Sequence, residues 1–323
     1  MDRCSKKGDR RVDVSLATDI ELAATIASAF LRQNVQAVVP VIGKGSVNQI
    51  FIARTTKTEV VIRMSQPADE ARALQFYEKE AWCLKHASVL GIPGPTVLAL
   101  GCWGTRPYMV QTFVVGVNGE DSSLDKSHIW HALGRYAKII HSIPVEGFGE
   151  MLIDFQQGNA KAGWRRFIDY NLNSLTDNDE LLRLRVYTPA QIDAIRQAFY
   201  DLRTRPFRFG VNHCDLAIRN TVIDESGKIS LLDWGSAEAH IVPHYDLIEI
   251  LRWHRPNDSS LRAFLTGYGM DKTEFMQLLP ELQSLMLLKA FDLTRWAIDR
   301  CPTQIHTMAE RARQTVQLKF KSM

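Results

Sequence analysis

Between Val211 and Ser236 the chain reads V-N-H-C-D-L-A-I-R-N-T-V-I-D-E-S-G-K-I-S-L-L-D-W-G-S, with two short apolar alternations divided by a turn. T-V-I-D and K-I-S-L-L-D alternate as strands do, and E-S-G supplies the reversal between them. A hairpin of this length brings Asn220 and Asp233 to neighbouring ends, with His213 and Asp215 a few residues upstream. Each of the four alone is an ordinary polar residue of a hairpin, whereas the ordered set is restrictive. Chemistry on the γ-phosphate of a nucleotide needs a carboxylate to orient the attacking hydroxyl and oxygen ligands to hold Mg²⁺ against the phosphates. This segment carries candidates for both.

The spacing H-x-D-x-x-x-x-N, followed by an apolar strand and D-x-G, resembles the catalytic and metal-binding loops of the protein-kinase-like fold. Protein kinases carry H-R-D and D-F-G. Here the triplets are His213-Cys214-Asp215 and Asp233-Trp234-Gly235, which are similar to those of the aminoglycoside phosphotransferase and choline kinase superfamily. Members usually have Gly where Cys214 stands, and this small-for-small change is expected to be tolerated in the loop. The resemblance implies that Asp215 orients the acceptor hydroxyl and takes its proton late. It also implies that Asn220 and Asp233 bind Mg²⁺, that His213 holds the loop, and that ATP or GTP is the phosphoryl donor.

The chain has 323 residues, more than one compact core holds, so two lobes are expected. With 46% apolar and 23% charged residues it has the composition of a globular protein. A net charge of +3 with both signs interspersed gives no basic field of the kind nucleic-acid binders use. The five cysteines are scattered, without a C-x-x-C pair, and suggest neither a disulfide framework nor a zinc site. A reducing cytoplasm fits them. No long apolar run is present, so no membrane association is expected. Oligomeric state is not legible. Residues 1–14 read as a disordered basic tail, 15–115 as a nucleotide-binding lobe and 116–323 as the catalytic and acceptor-binding lobe.

Along the first lobe, Thr18-Asp19-Ile20-Glu21 reads as a capping box opening a helix through Leu31. Strands are expected over Val35 to Ile42, Val47 to Arg54 and Glu59 to Met64. The break G-K-G-S allows backbone N–H groups to approach an anion, or is a simple hairpin turn. On the kinase resemblance, Gly43, Gly45, Ser46 and Val47 would meet the phosphates. Arg63 occupies the place of the usual ATP-anchoring lysine, and Glu80, in a helical stretch from Asp69 to Leu90, would pair with it. Glu80 also reads as a solvated helix face, and Arg63 as an exposed strand residue. Arginine keeps a permanent charge but asks for different geometry than an ammonium. Gln111, Thr112 and Phe113 would meet the base, and Val115 to Gly119 reads as a linker.

Ile129 to His141 reads as a helix similar to the L-x-x-L-H-x-x-P stretch of these phosphotransferases, with His141 structural. Trp164 and Tyr170 could stack on an acceptor ring or fill the core. P-H-Y-D-L resembles the superfamily's G-D-x-x-x-D-L-A region, which implies that Asp246 supports the catalytic loop. L-R-W-H-R-P and W-R-R-F-I point to the hygromycin phosphotransferase branch. The remainder from Leu261 to Phe320 is helical by period.

The fold expected is α+β and bilobal, protein-kinase-like, with a small antiparallel-sheet lobe and a larger, mainly helical one. The function expected is a small-molecule kinase acting on a hydroxyl of an aminoglycoside-like or other small polar acceptor. A metabolic amino-alcohol or sugar kinase and a nucleotide-binding pseudokinase remain as alternatives. A protein kinase is disfavoured, because no A-P-E follows D-W-G before His244-Tyr245-Asp246. Asp154, Asp169, Glu238, Glu249 and Asp258 are available to a cationic acceptor, while Arg252, His254 and Arg255 would suit an anionic one or form a solvated helix end.

Overall fold

Alternating β-branched and apolar residues set the first sheet. In the computed structural model, which describes residues 8–41, 48–66, 70–150, 152 and 159–320, Asn48–Arg54 (β2) pairs antiparallel with Glu59–Ser65 (β3) through the turn at Thr55 to Thr58. Ala37–Pro40 (β1), Val97–Trp103 (β4) and Arg106–Thr112 (β5) complete a sheet that, among the described residues, has five strands in the order β1-β2-β3-β5-β4. Side chains of a strand alternate between faces. Val60, Ile62 and Met64 turn to one face, where Ala23, Ile26 and Ala27 of the helix Gly8–Leu31 (α1) pack on them with Phe51, Ala53 and Val110. Arg63, one residue out of phase, belongs to the other face, against Glu70–Val89 (α2). Gly91 ends α2 at φ +82, and the Ile92 N–H reaches back to the Ala87 carbonyl at 3.0 Å.

Two expectations for the N-terminal region are corrected. The stretch to residue 14, read as a disordered tail, is helical from Gly8 onward, and residues 1–7 lie outside the described residues. Thr18-Asp19-Ile20-Glu21 lies inside α1 and opens nothing. Asp19 is buried, accepts from Gln49 Nε2 at 2.5 Å and pairs with Arg106. A guanidinium from β5 outcompetes the local amides that a capping carboxylate would have taken.

The chain divides into two compact units, Met1–Ser122 with Asn220–Gly235, and Ser123–Arg219 with Ser236–Met323. A single boundary at 115/116 therefore does not describe it. The hairpin Thr221–Ile223 (β8) and Ile229–Leu231 (β9) belongs with the first unit, in a sheet ordered β6-β8-β9 whose other member is Val117–Asn118 (β6). The stretch read as a linker is thus partly strand. Gly119 donates to the Thr221 carbonyl at 3.0 Å, and Leu231 to that of Pro93 at 2.8 Å.

The second unit is mainly helical. Lys126–Ile140 (α3) opens on Asp125, whose carboxylate accepts from the Ser127 amide at 2.8 Å. Ala160–Asn173 (α4), Glu180–Arg183 (α5) and Ile192–Thr204 (α6) follow. Arg208–Asn212 (β7) pairs antiparallel with Glu238–Val242 (β10), and His244–Leu251 (α7) comes next. Ser259–Tyr268 (α8), Lys272–Arg300 (α9) and Ile305–Lys319 (α10) carry the helical period expected after Leu261. Trp164, Phe199, Phe264, Phe275 and Phe291 are fully buried in this unit.

Helices α3 and α8 approach closely through glycines. A Cβ at Gly134 would strike the Phe264 carbonyl oxygen, and one at Gly267 the carbonyl oxygen of His131, both rigid backbone atoms. Gly134→Ala must push the helices apart. It is expected to lower stability by about 1 to 3 kcal/mol, read as a fall in the urea midpoint. An unchanged midpoint would show that the helices have slack.

Candidate active site

Strand β7 delivers the loop that follows it. Asn212 is fully buried, its side-chain oxygen accepting from the Asp246 amide at 3.3 Å, and the chain then turns through His213, Cys214 and Asp215. The Asp246 carboxylate, in the first turn of α7, collects the loop's amides. One oxygen accepts from Cys214 N–H at 2.7 Å, the other from His213 N–H at 3.1 Å and from His141 Nε2 at 2.9 Å. Burial alone would raise this carboxyl. The His141 hydrogen bond, the charges of His141 and His213 and the Cys214 amide outweigh burial and hold it below the ordinary carboxylate range. His141, the C-cap residue of α3, lies within 3.0 Å of the Tyr268 hydroxyl through its other ring nitrogen, which makes it a structural residue.

Cys214 adopts φ +63, the left-handed conformation that glycine takes without strain. Its thiol, pushed well up by burial and by Glu238 and Asp246, is neutral. The charge-assisted bond from its amide to Asp246 offsets the backbone cost. Asp215 follows with its carboxylate 32% exposed and ion-paired to Arg219, itself half exposed in the 3₁₀ turn Ile218–Asn220. Sequence reading passed over Arg219, although a cation four residues beyond Asp215 is a spacing at which side chains meet on a helical turn.

In the first unit the hairpin places Asn220 and Asp233 together at its open end, where Leu232 N–H donates to the Asn220 carbonyl at 2.8 Å. Asp233 takes φ +57, and its carboxylate is half exposed. Arg63 forms a buried ion pair with Glu80, and its other terminal nitrogen stands 3.7 Å from Asp233. Glu80 also accepts from the Trp234 amide, and Lys79 Nζ holds the Gly235 carbonyl at 2.9 Å. Burial would lower the Arg63 pKa, but the Glu80 and Asp233 carboxylates raise it above the ordinary arginine value. The resemblance implied the Arg63–Glu80 pair, and the two residues do meet.

The donor chemistry suits the groups that phosphoryl transfer requires. Asn220 and Asp233 offer hard oxygens, and Mg²⁺ commonly takes one or two carboxylates and completes its shell with water and phosphate. Among the described residues no cluster of three or more His, Cys, Asp or Glu could hold a metal by itself. Arg63 Nε and Ser65 Oγ are buried without a hydrogen-bond partner among the described residues, as a cradle for an anion leaves its donors. Gly43, Gly45, Ser46 and Val47 lie outside the described residues. Gln111 is a buried residue of β5, and the Thr112 N–H is committed to the Thr96 carbonyl at 2.9 Å. Phe113, past the end of β5, is the first of the three free of the ladder.

Of the carboxylates considered for an acceptor, Asp154 lies outside the described residues. Asp169 is held by Arg203 at 2.6 Å, Glu249 by Lys289 and by Arg252 at 2.7 Å, and Asp258 caps α8 and meets His254 at 3.1 Å. Glu238 opens β10 opposite Asn212. Trp164 is core, its indole N–H donating to the Leu202 carbonyl at 3.2 Å, whereas Tyr170 is half exposed. No helix of the described residues is long and apolar enough to cross a membrane.

Residues 38–279 match the sequence profile described as the Phosphotransferase enzyme family. A search of curated protein sequences finds no match. Among solved structures, the chain is similar to aminoglycoside phosphotransferase APH(4)-Ia, at 18% identity and TM-score 0.63 over 93% of this chain and 98% of that one. It is also similar to aminoglycoside 2'-phosphotransferase-IIIa in its GDP complex, at 16% identity and TM-score 0.65 over 91% and 97%. Macrolide 2'-phosphotransferase MphH from Brachybacterium faecium matches at 14% identity and TM-score 0.59 over 92% and 97%. At these identities the likeness establishes the fold, which is the protein-kinase-like one.

Proposed function

The chain belongs to the phosphotransferase enzyme family, and from that premise we propose that it transfers the γ-phosphoryl group of ATP or GTP to a hydroxyl of an aminoglycoside-like or other small polar acceptor. Asp215 orients the acceptor hydroxyl and takes its proton late, which suits a loose transition state that needs positioning more than deprotonation. Asn220 and Asp233 hold Mg²⁺, which when bound neutralises charge on the phosphates. Arg63 grips phosphate oxygens, while Glu80 keeps it in place. The observation that carries this reading is the buried Arg63–Glu80 pair, with Arg63 Nε unpaired among the described residues and its other terminal nitrogen 3.7 Å from Asp233. Scattered free cysteines suit a reducing cytoplasm.

A second reading, a kinase for an amino alcohol or sugar, is favoured by the pairing of Asp169 and Glu249 with cations of the chain itself. A polycationic acceptor would have to displace these cations. The test is a thermal-shift screen with ATP or GTP and Mg²⁺ across aminoglycosides, amino alcohols and sugars, followed by transfer of labelled γ-phosphate. A metal-dependent nucleotide shift and one labelled acceptor class are expected. A nucleotide shift with no turnover would leave a pseudokinase, and no nucleotide shift would overturn the proposal.

A further inference from the structure

Asp246 fixes the main chain of the loop that carries Asp215, since it takes the amides of His213 and Cys214. Main-chain anchoring does not by itself orient a side chain. A base that must meet one hydroxyl in one direction gains from having an oxygen tethered. Arg219 provides the tether, because its terminal nitrogen donates to Oδ1 of Asp215. Both groups are substantially exposed, at 50% for Arg219 and 32% for Asp215. An exposed pair at this spacing contributes little to stability.

We propose that Arg219 is a positioning residue for phosphoryl transfer, its guanidinium holding Asp215 Oδ1 and so fixing the direction in which the carboxylate meets the acceptor hydroxyl. The inference rests on the function proposed above and names a residue beyond it. A second effect follows from charge. The carboxylate must work beside a transferring phosphoryl group that is itself anionic, and like charges at short range repel. A guanidinium stays protonated under all working conditions, so Arg219 compensates the Asp215 charge throughout the reaction. Covalent order supports the placement, since Arg219 is bonded directly to Asn220 within the same 3₁₀ turn.

The experiment measures ADP or GDP release from Mg-ATP and Mg-GTP with water as acceptor, for the unaltered full chain, Arg219→Ala, Arg219→Lys, Arg219→Gln and, as reference, Asp215→Asn. Arg219→Ala is expected to lose about a hundredfold in kcat, the loss seen when one preorganised donor is removed. Nucleotide KM and melting temperature should stay at the unaltered values. Arg219→Lys should recover part of the rate, because it keeps the charge without the fork, and should exceed Arg219→Gln. If Arg219→Ala does not fold, the order of Lys over Gln decides. Unaltered kcat in Arg219→Ala, or in Arg219→Gln, overturns the inference while Asp215→Asn stays inactive. If the unaltered chain neither releases ADP or GDP nor transfers labelled phosphate to any acceptor class, the proposed function and this inference fall together.

Discussion

Asp215→Asn is expected to reduce transfer by about a thousandfold, within the range general-base groups contribute, while leaving nucleotide affinity as it was. The substitution keeps size and shape. Arg219 retains an oxygen to donate to, and the Asp246 bonds to His213 and Cys214 involve main-chain groups that the change does not touch. What disappears is the negative charge that makes the side chain an acceptor on both sides. Single-turnover kinetics with Mg-ATP should therefore show a slow chemical step, and calorimetry an unchanged dissociation constant. Full activity in this variant would remove Asp215 from the mechanism.

Asp246→Ala has the largest expected effect on stability. The carboxylate is buried and accepts from two loop amides and from His141, so its removal leaves three buried donors without an acceptor. Leaving a buried donor without its acceptor costs about 1 to 3 kcal/mol for each. The strained Cys214 angle would then lose the bond that offsets it, and the loop's geometry should degrade along with kcat. The pH dependence has a definite sign. The folded carboxyl lies below the ordinary value, so its stabilisation is complete above the unfolded pKa of about 3.9 and is lost as pH falls through the lower folded pKa. Asp246→Asn should flatten that acid limb in urea midpoints measured from neutral pH downward. An acid limb that persists unchanged would assign it to other carboxylates.

The hairpin proposed to hold the metal was legible because its signals are local. Strand alternation, a turn and fixed spacing put Asn220 beside Asp233 without help from the rest of the chain. The Arg63–Glu80 pair came from the kinase resemblance, because strand phase and helix period alone allowed an exposed strand residue and a solvated helix face, whereas both side chains are buried. The N-terminal helix was misjudged because Asp19 has a partner eighty-seven positions away, and no local rule weighs a capping amide against the distant Arg106. The linker reading of Val115 to Gly119 failed for a similar reason: β6 is a strand only because Thr221 to Ile223 pairs with it. Arg219 was readable by spacing alone.

The segment Asn220–Gly235, grouped with residues that end a hundred positions earlier, limits how the molecule can be dissected. A fragment stopped near Ser122 would retain β6 but lack β8 and β9, and would leave the Pro93 carbonyl without the Leu231 amide. Such a fragment would present an unpaired strand edge, the feature that recruits other chains into aggregates. The complementary fragment, from Ser123 onward, would carry β8 and β9 without their partner β6. Swapping whole units between relatives by a single crossover is therefore expected to yield insoluble chimaeras, whereas exchanges that carry residues 220–235 along with the first unit keep its pairing intact.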